Sequence, residues 1–341
     1  MKLAVGYPIK YEDGEQFADV VRNYGEHIGE VYFAWLDMPS GRSAMTARGG
    51  LADRNGQRDL EDDLRRIKQN GVKLNLLLNA NCYGRDSLSR HLGDRIRALV
   101  AHLLETTGLD AVTTASLMMA GILKEEFPAL DIRASVNMRT GSVKAMEYVA
   151  DIMDSFYIQR EYNRDLDKIV EMKQWADRHG KGLYMLANSG CLNFCAGQVF
   201  HDNLVAHEAE ISSMDNLHGR NPVLCWNYYR EKANWVAFLQ NSWVRPEDLH
   251  RYEDYFPMVK LATRMHDHPA RVIRAYSRRQ FDGNLMELLE PGHAPLFEGF
   301  LIANGRFPAD WFDKTTACGK RCHCCNYCAE VLNQVLERKE G

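Results

Sequence analysis

"SFYIQREYNRDLDKIVEMKQWADRHGKGLYMLA" (residues 155–187) holds one full unit of the chain's architecture. It opens on an apolar run rich in aromatic and branched residues, "SFYIQ" (155–159), and closes on another, "LYMLA" (183–187). Between them "DLDKIVEMKQWADRHG" (165–180) has apolar residues at helical spacing and stops at Gly180, a residue suited to a helix C-cap. The unit reads as strand, helix, strand. The same alternation extends outward in both directions. Strand-like runs lie at 3–7, 31–35, 74–78, 111–116, 132–136 and 258–262, with helical patterns at 60–71 and 85–108 between them. Eight strands separated by helices predict an α/β fold, a (β/α)₈ TIM-type barrel. A further run, "WVAFLQ" (235–240), is a candidate ninth strand. The expected division is a barrel over 1–290 and a C-terminal extension over 291–341.

The chain has 341 residues, 45% of them hydrophobic and 26% charged, enough to bury a full core. Its net charge of −4 gives no basic footprint, which argues against duplex nucleic acid and anionic membranes as partners. No apolar run reaches the roughly 18 residues of a membrane span, and the run near the N-terminus is too short for a signal peptide. A cytoplasmic location is expected. There thiols stay reduced, so nine cysteines at tight spacing point to metal or redox chemistry rather than disulfides.

A barrel of this kind carries its chemistry at the C-terminal ends of its strands. Asn79, Asn81, Ser116, Asn137, Arg139, Arg160, Asn163, Asn188, Thr263 and Arg264 all follow strand-like runs. Of these, Asn137, Arg139 and Arg264, with His201, are the expected catalytic or substrate contacts, because the planar arginine fork suits carboxylate or phosphate. Cys191 and Cys195 stand three residues apart after the seventh run, Cys225 follows, and Cys82 lies just past the third run. Four thiolates converging there suit a 4Fe–4S cluster, although Cys82 and Cys225 also read as small buried hydrophobes. In "CGKRCHCCNYC" (318–328), Cys318, Cys322, Cys325 and Cys328 follow C-x-x-x-C-x-x-C-x-x-C, a spacing for a second cluster or for zinc. Cys324 and Cys325 compete for one place in that set.

Three segments carry a resemblance. "NRDLDKI" (163–169), "GCLNFCAGQVFH" (190–201) and above all "SWVRPEDLHRYEDYFPMVKLATR" (242–264) resemble the collagenase-like peptidase (U32) family. The resemblance implies a barrel with a cysteine-bound 4Fe–4S cluster, Cys191, Cys195 and Cys225 as ligands, and oxygen-independent hydroxylation as one activity of the family. The expected function is an iron–sulfur oxidoreductase acting on an anionic small molecule or nucleotide, served by an electron-donor protein. Three alternatives stand beside it. Cys318, Cys322 and Cys325 match the C-x-x-x-C-x-x-C spacing of radical S-adenosylmethionine enzymes. A peptidase is the second, although neither H-E-x-x-H nor G-x-S-x-G occurs. The third is a non-catalytic electron-transfer subunit.

Overall fold

A computed structural model describes residues 1–8, 16–41 and 54–339. Eight parallel strands close into a barrel in chain order: β1 (Lys2–Gly6), β2 (Ile28–Ala34), β3 (Lys73–Leu78), β4 (Ala111–Thr114), β5 (Asp131–Ala134), β6 (Ser155–Tyr157), β7 (Gly182–Leu186) and β8 (Met258–Leu261). β8 pairs back onto β1, with Leu3 opposite Val259. All eight expected strands are present.

Alternation along each strand divides the side chains between two environments. Val31, Phe33, Leu74, Leu76, Val259 and Leu261 join the main core outside the sheet. Burial stabilises the larger of these by about 1.5–3 kcal/mol each. The intervening Ala4, Tyr32, Leu77 and Met258 form a small apolar cluster inside the barrel. Polar residues fill the rest of the lumen. Arg133 Nη1 lies 3.0 Å from Glu30 Oε1, Asn75 Nδ2 donates to the same carboxylate at 2.8 Å, and Thr113 Oγ1 donates to Asn75 Oδ1 at 3.0 Å. The lumen is therefore plugged.

The helices follow from capping and one apolar face. In Leu166–Arg178 the Asp165 side chain accepts from Lys168 N at 3.1 Å, while Ile169, Met172, Trp175 and Ala176 turn inward. Beyond it Gly180 takes φ 63°, the left-handed conformation a helix end favours. The pattern at 85–108 divides into a 3₁₀ turn, Gly84–Asp86, and a helix, Arg90–Thr106, capped by Ser89. The expected ninth strand is instead a short helix, Val236–Leu239. Ala237, Phe238 and Leu239 are all buried, and a short apolar run enclosed on every side carries no period to separate helix from strand.

After β8 the chain returns to the same core. Two short strands, β9 (Phe300–Ile302) and β10 (Leu336–Arg338), pair antiparallel, with Ile302 opposite Leu336. Between them lie helices Trp311–Thr316 and Tyr327–Val335, whose Trp311, Phe312, Val331 and Val335 join the main apolar cluster. Trp311 stacks between Trp243 and Tyr327, at 5.8 and 6.1 Å between ring centroids. Arg164 lies over both tryptophans and donates to the carbonyls of Leu239 and Trp243.

Candidate functional site

The strand ends surround a small cavity of about 60 Å³, lined by Tyr32, Asn79, Asn137, Arg160, Lys260, Arg264 and Glu290 among others. Asn137 Nδ2 donates to Asn79 O at 3.2 Å, and Asn79 Oδ1 accepts from Gly41 N at 3.0 Å. A Cβ on Gly41 would stand 2.5 Å from Asn137 Nδ2, so a larger residue would push both asparagine amides aside. Arg264 Nη2 donates to Ser40 Oγ at 3.0 Å. Lys260 points inward from β8 with Nζ 3.8 Å from the centre of the Tyr32 ring and 5.2 Å from that of Tyr157. Burial, opposed by Glu30 and reinforced by Arg133 and Arg264, brings its pKa down to about 7.

Two expected contacts stand outside this cavity. Arg139 takes φ 55° and directs its guanidinium to Glu161, 3.6 Å away. His201 is half-buried on the helix Gln198–Ala206 and does not line the mouth. Lys260, Tyr32 and Glu290 line the cavity without being among the contacts that the sequence predicts. The signal for Lys260 was a lone lysine inside the apolar strand "MVKLA".

Three of the four expected rim cysteines come together. Cys191 and Cys225 are buried and Cys195 is half-buried. Burial raises the Cys195 and Cys225 thiols, the latter to about 12, and the neighbouring Cys191 charge adds to both shifts. Arg160 Nη1 donates to Cys191 Sγ at 3.1 Å, so one arginine joins the mouth to this group. The backbone is fixed around it. Asn241 Nδ2 donates to Gly190 O and its Oδ1 accepts from Asn193 N, both at 3.2 Å. Asn188 ties the same loop to Ala262 and Leu288. A Cβ on Gly190 would meet Pro291 O at 2.3 Å. Nearby, His293 is buried against Tyr229 and Trp226, neither ring nitrogen has a hydrogen-bond partner among the described residues, and burial lowers its pKa to about 4.

Cys82 does not stand with those three. It pairs with His207, which follows the helix Gln198–Ala206 in the long excursion between β7 and β8.

The C-terminal thiols form a second group. Cys322 and Cys328 are raised first by burial and then by the other thiols of the set, Cys318 and Cys325 among them; Cys328 reaches about 11. Cys324 Sγ instead donates to Arg321 O at 3.3 Å, which leaves Cys325 to the set. The loop borders a cavity of about 400 Å³. Arg164 and Lys320 stand beside these thiols. Arg164 offsets the burial of Cys328, and Lys320, at φ 51°, hydrogen-bonds the Glu161 carbonyl and lies 5.8 Å from the Phe194 ring centre. Phe194 belongs to the 191–195 loop, and Asn193 and Asn241 share a small cavity with Cys318, Cys322 and Cys328. The two thiol groups are neighbours. Among the described residues, no three His, Cys, Asp or Glu side chains are set to hold a single metal ion.

Among the described residues, no helix is long and apolar enough to cross a membrane. No protein-family model matches the chain. It is 26% identical over 288 residues, 82% of each chain, to a protein of Methanocaldococcus jannaschii named as an uncharacterized protease, MJ1657. Its fold matches the structure of the U32 peptidase Mk0906 with a TM-score of 0.54 at 15% identity, covering 76% of this chain and 92% of that one. The sequence similarity to that protease and the barrel shared with the U32 peptidase agree with the resemblance to the U32 peptidases carried by the motifs at 163–169, 190–201 and 242–264.

Proposed function

We propose that the chain is an iron–sulfur oxidoreductase whose barrel mouth holds an anionic small molecule or nucleotide. One observation carries the reading: Arg160 lines the mouth and hydrogen-bonds the thiol of Cys191. The donor set fits a cluster at both places. Cys191, Cys195 and Cys225 would hold one, leaving an iron without a cysteine ligand, and Cys318, Cys322, Cys325 and Cys328 would hold another. Zinc needs all its sulfurs about 2.3 Å from one centre. A cubane distributes its thiolates over separate irons, a wider spacing that suits groups not gathered for one ion. When bound, such a cluster supplies one-electron transfer.

The chain's own residues provide the rest. Arg160 and Arg264 present planar donors to a carboxylate or phosphate. Lys260, held near neutrality, takes up or releases a proton at Nζ at ordinary pH. Leu77, Val136 and Leu186 line the same mouth and limit water. Cys328 standing with Cys318, Cys322 and Cys325 favours full cysteine ligation over an open iron for S-adenosylmethionine. The test is anaerobic purification with iron, sulfide and zinc counted per chain. Iron and sulfide in equal amounts are expected, with no cleavage of S-adenosylmethionine after reduction. Colourless protein carrying zinc alone would sink the reading.

A peptidase is the second reading, favoured by the names that the two relatives carry.

A further inference from the structure

Neither thiol group includes Cys82, and the surroundings of Cys82 are of a different kind. It follows β3, and the turn at Gly84, with φ 56°, folds back so that Gly84 N donates to Cys82 Sγ at 3.3 Å. His207 arrives from the β7–β8 excursion. A Cβ on Gly84 would lie 3.5 Å from His207 Cε1, which places the imidazole over this turn. Its Nδ1 is 3.2 Å from Glu210 Oε2. With Nδ1 held by the carboxylate, Nε2 is the nitrogen left for the thiol.

We propose that Cys82, His207 and Glu210 form a thiol nucleophile for acyl transfer from a peptide or ester carbonyl, at a site distinct from the barrel mouth. A nucleophile, a base within reach and a third group orienting the base are the three parts such chemistry requires. Electrostatics agree with the geometry. Hydrogen bonding to His207 lowers the Cys82 thiol, and the same bond, followed by that to Glu210, raises the imidazole. The pair is biased toward thiolate and imidazolium, and both side chains are partly exposed. Cys82 Sγ bonds to the carbonyl carbon, and His207 gives its Nε2 proton to the leaving nitrogen or oxygen as the acyl bond breaks. Water then attacks the thioester, returns a proton to His207 and releases the acid, with no change of oxidation state. Leu88, Val199, Phe200 and Met214 are exposed on the same segments, so an acyl group or peptide with apolar side chains is the expected class.

The inference goes beyond the redox reading and does not depend on it. The test uses the full chain, purified anaerobically, with iodoacetamide as probe and peptide mapping as readout. At about pH 6.5 Cys82 should alkylate about tenfold faster than exposed Cys324, and His207→Gln should abolish the advantage while Glu210→Gln reduces it. 4-Nitrophenyl hexanoate should leave a hexanoyl adduct on Cys82, absent in Cys82→Ser, with iron content unchanged. Three outcomes overturn the proposal: equal alkylation of Cys82 and Cys324, fast alkylation without an acyl adduct, and loss of iron in Cys82→Ser, which would make Cys82 a ligand. The first two measurements need only the unsubstituted protein.

Discussion

The two thiol groups are built by opposite means. In the group around Cys191, two of three thiols are buried, Cys225 lies far along the chain, and Asn188 and Asn241 fix the loop to the barrel. In the C-terminal group Cys318, Cys322 and Cys325 are exposed, and the thiols sit within eleven consecutive residues. The first is assembled by the fold, the second by covalent spacing with Arg164 and Lys320 beside it. A fold-assembled site keeps its shape when empty; a loop tied only at its ends gains the final placement of its thiols from what it binds. In both, burial favours the neutral thiol, so binding a metal must release protons and strengthens as pH rises.

The largest expected effect breaks the pair apart. Replacing Cys322 and Cys325 together by Ala should remove all iron and sulfide from the C-terminal group and leave the other group loaded. Metal counting and electron paramagnetic resonance would check it, and emptying of both groups would mean one shared cluster. Next comes Arg164→Met, which leaves the Leu239 and Trp243 carbonyls without their donor and removes a cation stacked on two tryptophans. A loss of about 3 kcal/mol is expected in denaturant unfolding. A loss below about 1 kcal/mol would show that the aromatic stack holds the tail unaided.

A third prediction concerns pH. The Lys260 ammonium has a pKa of about 7 in the fold, against about 10.4 in an unfolded chain. Between those values the unfolded state binds more protons, so stability rises with pH, and the cost of burying the charge is fully present below the lower value. Relative to wild type, Lys260→Met should flatten this slope by up to about 1.4 kcal/mol per pH unit. Parallel stability profiles of the two proteins from pH 7 to pH 10 would contradict the assignment. The smallest effect is at Arg160. Its change to Gln removes the donor to Cys191 and should speed iron loss to a chelator about tenfold, whereas Cys324→Ser should change nothing.

The strands were legible because each is a short apolar run between helical patterns, and period alone separates the two. The run at 235–240 failed that test, since Ala237, Phe238 and Leu239 are buried on every face. Cys191 and Cys195 were legible from their spacing. Its place after the third strand puts Cys82 at the same rim, but β3 and β7 lie four strands apart in the closed order, so a shared rim is not a shared site. The Cys82 and His207 contact depends on how the β7–β8 excursion runs, and no local pattern encodes that. Lys260 was visible as a charge in a strand, while its depressed pKa needed the enclosing Tyr32 and Arg133.

The short ladder of β9 and β10 has a consequence for affinity. Ile302 pairs with Leu336, and Ala303 N donates to Val335 O, so the stretch carrying Cys318 to Cys328 is tied at both ends before any ligand arrives. Closing a loop costs entropy that grows with its length, and here the ladder and the helices packed beside it meet part of that cost. The thiols therefore face one another at high effective concentration, and once one has engaged, each further bond is an intramolecular event. A metal bound at this loop would gain from a strand pair that lies outside the thiol segment itself.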